Sequence, residues 1–308
     1  MKALRQIIET VRSHRDEPWA LATLVETRGS TYRKPGARML IDAKGGTIGV
    51  LSGGCLEEEI ARRGRAIING APALVLNFDT RRLYGCDGNV RILIERVEPA
   101  GESGNFITAL GSALDQRQVR RLRSWYENGL LGTDLLEPTE LVVEHPGMLV
   151  HCVPLPLRLF LFGTGPEIGP IQEISRSLGW IVHSLANASE LPDDVRADDQ
   201  TAAVVMTHNF GRDLAALDRL LSLQLPYLGI LGPRKRHRQM FGELLNHRSI
   251  DPGSLQNIYA PAGLDLGSEA PEEIALSIVS EISAVLANRK GGCLREREVA
   301  IHLEEHVA

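Results

Sequence analysis

The chain has 308 residues, with 34 Lys and Arg against 39 Asp and Glu, for a formal net charge of −5. That length suits about two domains, each able to bury its own core, and the 43% apolar and 24% charged content is that of a globular chain. Aromatics at 5% and a slightly acidic balance argue against a nucleic-acid-binding surface, and no apolar run is long enough for a membrane span.

The N-terminus, MKALRQIIETVRSHRDEP, places Ala3, Leu4, Ile7, Ile8 and Val11 at helical spacing and lacks the unbroken apolar core of a signal peptide. A cytoplasmic protein is expected. Trp19 to Thr27 reads as a buried strand. Arg38 to Ala43 and Thr47 to Leu51 read as short strands around the Lys44-Gly45-Gly46 turn. A helix follows from Leu56 to Asn69, acidic first and basic later as the helix dipole favours. Leu74 to Phe78 and Val90 to Val97 complete a mixed α/β domain over 1–97. Residues 98–153 read as a linker and connecting segment, with a helix expected around Gln118 to Tyr126.

From Leu157 onward strands and helices alternate, the pattern of a parallel sheet with helices on both faces. The expected strands are Leu157 to Phe162, Trp180 to Leu185, Ala202 to Met206 and Tyr227 to Leu231. Helices are expected up to Leu178, over Asp213 to Leu221 and Arg234 to Leu245, and from Pro271 to Ala287. A Rossmann-like domain over 154–290 and a tail over 291–308 result. The fold class is α/β.

Four cysteines, Cys55, Cys86, Cys152 and Cys293, include no CxxC pair, so thiols are expected rather than disulfides or structural zinc. Cys152 and Cys293 read as structural. Cys55 lies in Ser52-Gly53-Gly54-Cys55-Leu56-Glu57, where two glycines let the backbone approach a ligand. The helix start behind them offers unpaired N–H donors and lowers a thiol's proton affinity. The alternative is a tight turn with a small buried thiol. Cys86 and Asp87 lie in a second polar turn, Tyr84 to Asn89, which reads equally as a ligand loop or a plain hairpin.

Gly163-Thr164-Gly165-Pro166-Glu167-Ile168 follows a strand and precedes a helix, the setting of a dinucleotide fingerprint. Its third position is Ile168, Pro170 is expected to disturb the helix, and Ala186 and Asn187 stand where a ribose-binding acid belongs. Thr207, His208 and Asn209 follow the next strand. Arg234, Lys235 and Arg236 open a later helix, where cations suit a bound anion or a solvated basic face.

Read together, ALATLVETRGSTYRKPGARMLI, IGVLSGGCLEEEI and GCDGNVRILIE, then LFLFGTGPEI, VVMTHNFGRDLAAL, YLGILGPRKR and PAGLDLGSEAPEEIALSIVSEI, resemble the XdhC/CoxI family. These are accessory proteins that mature molybdenum hydroxylases such as xanthine dehydrogenase. The resemblance implies a maturation chaperone that binds the molybdenum cofactor, protects it during sulfuration and delivers it to an apo-hydroxylase. It also implies a cysteine desulfurase as a further partner, and a homodimer. By motif position, Gly53, Gly54, Cys55, Glu57, Cys86, Thr207, His208, Gly263, Leu264 and Asp265 carry over. Apart from Gly263 and Leu264, they form the candidate cofactor-binding set together with Ser52, Asp87, Gly163, Gly165 and Arg234. Cys55 is the candidate for sulfur or metal contact, and no protein-only metal site is expected. Ile168, the missing strand-end acid and Pro233 in place of the usual serine count against NAD(P). An NAD(P)-dependent oxidoreductase is the rival reading, and a scaffold with vestigial sites is a third.

Overall fold

Strand β1 (Trp19–Gly29) is buried on both faces over its first part, because the side chains alternate into two separate cores. Ala20, Ala22 and Leu24 pack with Met39, Ile41 and the apolar stripe Ile60, Ile67 and Ile68 of helix α2 (Glu57–Ile68). Trp19 and Leu21 point the other way, onto Ile7, Ile8 and Val11 of α1 (Lys2–Ser13) and onto Ile107, Leu110 and Leu114 of α3 (Phe106–Asp115). A computed structural model provides these coordinates, describing residues 1–296 except 30, 55, 80–87, 128, 249–254 and 256.

With β2 (Arg38–Ile41), β3 (Thr47–Ile48), β4 (Leu74–Asp79) and β5 (Gly88–Val97), β1 forms an antiparallel sheet in the order β3-β2-β1-β5-β4. Leu21 is the register point, opposite Leu40 on one side and Glu95 on the other.

The segment expected as a linker is folded into this same unit, which spans Met1–Leu155. After α3, capped by Asn105, the chain builds a three-stranded antiparallel sheet, β7-β6-β8, from β6 (Arg120–Glu127), β7 (Leu130–Leu135) and β8 (Met148–Val153). The helix expected at Gln118 to Tyr126 is therefore strand β6. Leu122 and Ser124 are buried while Arg121, Arg123 and Trp125 are less so, a period of two. The inward Ser124 disguises that period, and it is satisfied at 2.8 Å by the Thr133 hydroxyl. Two polar contacts pin this small sheet to the large one: Glu95 accepts from the Thr133 amide at 2.7 Å and hydroxyl at 2.5 Å, and Arg38 donates to His151 Nδ1 at 3.2 Å.

The second unit spans Pro156–Ala308. Strands β9 (Arg158–Phe162), β10 (Ile181–Leu185), β11 (Thr201–Val205), β12 (Tyr227–Ile230) and β13 (Ile258–Tyr259) form an all-parallel sheet in the order β10-β9-β11-β12-β13. Leu159 and Leu161 face α4 (Ile168–Ser177) and α7 (Pro271–Leu286), while Phe160 and Phe162 face α5 (Phe210–Leu221) and α6 (Arg234–Arg248). This is a doubly wound, Rossmann-like arrangement whose order reverses between β9 and β11. Pro170 does not break α4. It sits in the first turn, where its missing N–H would have no partner, and the first helical bond runs from Ile171 N to Glu167 O at 3.0 Å. No described helix is long and apolar enough to cross a membrane.

Candidate functional site

In the first unit the Gly53–Gly54 turn leads into α2. Gly54 has φ +103°, and a Cβ added at either glycine would meet nothing within 4 Å, so the backbone there is open to approach. The amides around it are not all available. Glu57, the first residue of α2, turns its carboxylate back on the loop and accepts from the Leu51 amide at 3.1 Å, the Ser52 amide at 2.7 Å and the Leu56 amide at 3.1 Å. The Ser52 hydroxyl donates to it as well. Burial works to raise the Glu57 pKa, but these hydrogen bonds prevail and lower it. The loop's own acid thus fills part of the anion position that the helix start offers, a role the sequence motif did not reveal.

Cys55, Cys86 and Asp87 lie outside the described residues. The strands that bound the second turn end in a cavity of about 360 Å³, lined by Glu26, Arg28, Asn77, Asp79, Asn89 and Arg91 among others. Its charges are already engaged: Arg91 bridges Glu26 at 2.9 Å and Glu127, and Arg28 pairs with Glu26 at 2.9 Å. Cys152 and Cys293 are exposed thiols, so the structural reading of both is not supported by burial. Among the described residues no group of three or more His, Cys, Asp or Glu side chains could hold a metal ion.

In the second unit the structure brings Gly163, Gly165, Thr207 and His208 together. The turns after β9 and β11 are adjacent at the carboxyl edge of the sheet, where its strand order reverses and where such sheets take ligands. Gly163, at φ +146°, lets the first turn pass against the Met206 carbonyl, where any Cβ would collide. A Cβ on Gly165 would stand 2.6 Å from Glu167 Oε2 and 2.9 Å from His208 Nε2. Glycine is needed there for a second reason, to let those two side chains meet. Glu167, the buried N-cap of α4, lies 3.6 Å from His208 Nε2, and His208 holds a left-handed backbone at φ +56°.

Thr207 faces a different partner. Its amide and hydroxyl donate to Asp213 Oδ1 at 3.0 and 2.6 Å, and Arg236 donates to the other oxygen of that fully buried acid. Arg236, not Arg234, is the cation that turns inward; Arg234 is exposed at the start of α6. Asp213 was legible in principle, since it shares the spacing of the buried Ala216, Leu217 and Leu220 on α5. Asp265 is exposed. The turn it belongs to is stitched to α7, with the Gly263 amide donating to Glu281 at 2.8 Å and the Ser277 hydroxyl to the Leu264 carbonyl at 2.5 Å. Nor is the end of β10 without an acid. Glu190 returns from four residues on to accept from the Ala186 amide at 2.8 Å and the Asn187 side chain at 2.9 Å, which engages both its oxygens.

Sequence comparison divides the chain along the same lines. The pattern of the XdhC and CoxI family matches residues 13–79, and that of the XdhC Rossmann domain matches residues 159–282. The chain belongs to the XdhC/CoxI family. Both glycine turns described above fall inside the matched regions. A relative from Bacillus subtilis (strain 168), named as a probable xanthine dehydrogenase subunit, is 29% identical, over 86% of this chain and 92% of its own. The molybdenum cofactor insertion chaperone PaoD of Escherichia coli (strain K12) is 24% identical, over 94% of this chain and 90% of its own. The fold is shared with a crystal structure from Bacillus halodurans described as a xanthine dehydrogenase. The TM-score is 0.77 at 23% identity, over 94% of this chain and 97% of that one.

Proposed function

We propose that this XdhC/CoxI member is a cytoplasmic carrier that binds the molybdenum cofactor, shields it while a desulfurase supplies sulfur, and hands it to an apo-molybdenum hydroxylase. The observation that carries this reading is the near full-length likeness to a molybdenum cofactor insertion chaperone, which takes in both units rather than a single motif. The Gly53–Gly54 turn supports it, because open backbone beside a helix start suits a bulky phosphorylated ligand. Glu57 limits that support. A phosphate could use the glycine backbone but would compete with the carboxylate for the amides of Leu51, Ser52 and Leu56. Cys55, adjoining that turn in sequence, would supply a soft thiolate to the metal or to sulfur in transit.

The oxidoreductase alternative loses ground at two carboxylates. Glu167 stands at the N-cap position of α4, where its carboxylate would meet a pyrophosphate. Glu190 at the strand end already accepts from the Ala186 amide and the Asn187 side chain, so a ribose would share its remaining lone pairs.

Expression in a molybdenum-replete host, followed by metal analysis and pterin fluorescence of the purified chain, tests the carrier reading. Co-purifying molybdenum and pterin are expected in comparable amounts. Their absence, together with micromolar NADH binding by calorimetry, would favour the oxidoreductase instead.

A further inference from the structure

The turn at the point of strand-order reversal holds a carboxylate oxygen with no hydrogen bond. Glu167 is 7% exposed, and its Oε2 is shielded from solvent without a donor. His208 Nε2, at 3.6 Å, is beyond hydrogen-bonding distance. Burying an acceptor this way costs free energy, so an orphan of this kind at the edge where such sheets take ligands points to a donor supplied from outside. The surroundings fit such a visitor. Gly165 contributes bare backbone next to both side chains, and the His208 side chain is half exposed, so the imidazole is the part free to move. A phosphate does not fit. On the amides that open α4 it would meet the like charge of Glu167 at close range.

We propose that this turn binds the donor edge of a 2-amino-4-oxopyrimidine ring, with Glu167 accepting from the ring N–H and the exocyclic amine as His208 swings aside, and that the same carboxylate excludes phosphate. A carboxylate offers two acceptor oxygens side by side, which suits two adjacent N–H donors. The proposal rests on the carrier reading, because a pterin cargo presents this edge. A guanine base presents it too.

The test is calorimetric titration of the full-length chain with 6-methylpterin, guanosine and inorganic pyrophosphate, repeated on Glu167→Gln, Glu167→Asp and His208→Ala. Wild type is expected to bind 6-methylpterin. Both Glu167 variants should weaken that binding about ten- to hundredfold, and His208→Ala should keep it within a few-fold. Glu167→Asp retains the charge but retracts the oxygens, so it reads the same contact should Glu167→Gln fold poorly. Guanosine binding of similar strength would identify the ring edge alone as the recognised group, and binding of 6-methylpterin only would identify a pterin. Pyrophosphate should bind wild type poorly and Glu167→Gln better.

The proposal is overturned if neither ring binds, if the Glu167 variants bind 6-methylpterin like wild type, if His208→Ala loses as much as they do, or if pyrophosphate outcompetes the pterin. The two readings fail separately. Undiminished co-purification of molybdenum and pterin with Glu167→Gln would sink this assignment and leave the carrier standing. Glu167-dependent 6-methylpterin binding by a chain that co-purifies neither would do the reverse.

Discussion

Glu57 folds back onto Ser52, accepting its amide at 2.7 Å and its hydroxyl beside it. The Ser52 hydroxyl in turn accepts from the Leu56 amide at 3.1 Å, so one acid and one hydroxyl hold the Gly53–Gly54 turn in shape. Replacing Glu57 by Ala strands several donors and should cost about 1–3 kcal/mol in urea unfolding. The sign of its pH dependence follows from a pKa lowered in the folded chain: the contribution is present above 4.5 and is lost as pH falls through the lower folded value. Glu57→Ala should therefore differ from wild type at pH 7 and converge with it in strong acid.

His151 works in a higher pH window. Burial, with the Arg38 guanidinium beside it, drops its pKa from 6.5 to about 4. Below pH 6.5 the unfolded chain takes a proton that the folded ring refuses, so stability should decline as pH falls from 6.5 toward about 4. Urea midpoints measured across that range should show the decline in wild type and a flatter profile in His151→Gln.

Gly64 lies inside α2, where alanine ordinarily improves a helix by about 1 kcal/mol. Here its missing Cβ makes room for Ile41, whose Cδ1 would stand 2.5 Å from the added carbon. Gly64→Ala should therefore destabilise by about 1–3 kcal/mol through overpacking. A thermal midpoint equal to or above wild type would refute the close approach of helix and strand.

The two units should be separable at Leu155–Pro156. Fragments comprising residues 1–155 and 156–308 are each expected to unfold cooperatively. Limited proteolysis of the whole chain should cut first in the exposed irregular segment 137–146, where Leu141 and Val143 stand in solvent. First cuts inside β6 or β8 would show that the small sheet is not packed as described.

Cys55→Ala should lower co-purified molybdenum and pterin by about tenfold or more while leaving the unfolding midpoint unchanged, as loss of a charge-assisted contact would. Cys86→Ala should fall between it and wild type. Cys293→Ala, at an exposed position, should change neither quantity. Retention by Cys55→Ala equal to wild type would remove the thiol from the carrier reading.

Periodicity alone placed α1, α2, the strands of the large antiparallel sheet and most of the parallel half, because the burial of one stripe or one face repeats locally along the sequence. It left α3, β7 and β8 unread. The same local logic misread β6, where a buried Ser124 and outward arginines blur an alternation that only the hydroxyl of Thr133 explains. Motif spacing likewise located both glycine turns, since glycine answers a backbone need within a few residues. The polar surroundings of each turn were decided partly by acids that fold back onto nearby backbone, a direction that spacing alone does not give, and partly by groups that meet through tertiary packing. Glu57 occupies the Leu51 and Ser52 amides of the loop and the Leu56 amide at the helix start, Glu190 returns to a strand end that looked devoid of acid, and Arg236 rather than Arg234 reaches inward to Asp213. Glu167 and His208, far apart in the chain, meet only because β9 and β11 are neighbours in the sheet. Sequence dictates the conformation of a segment through short-range sterics and burial; which charges face each other depends on strand order, and that emerges only when the sheet closes.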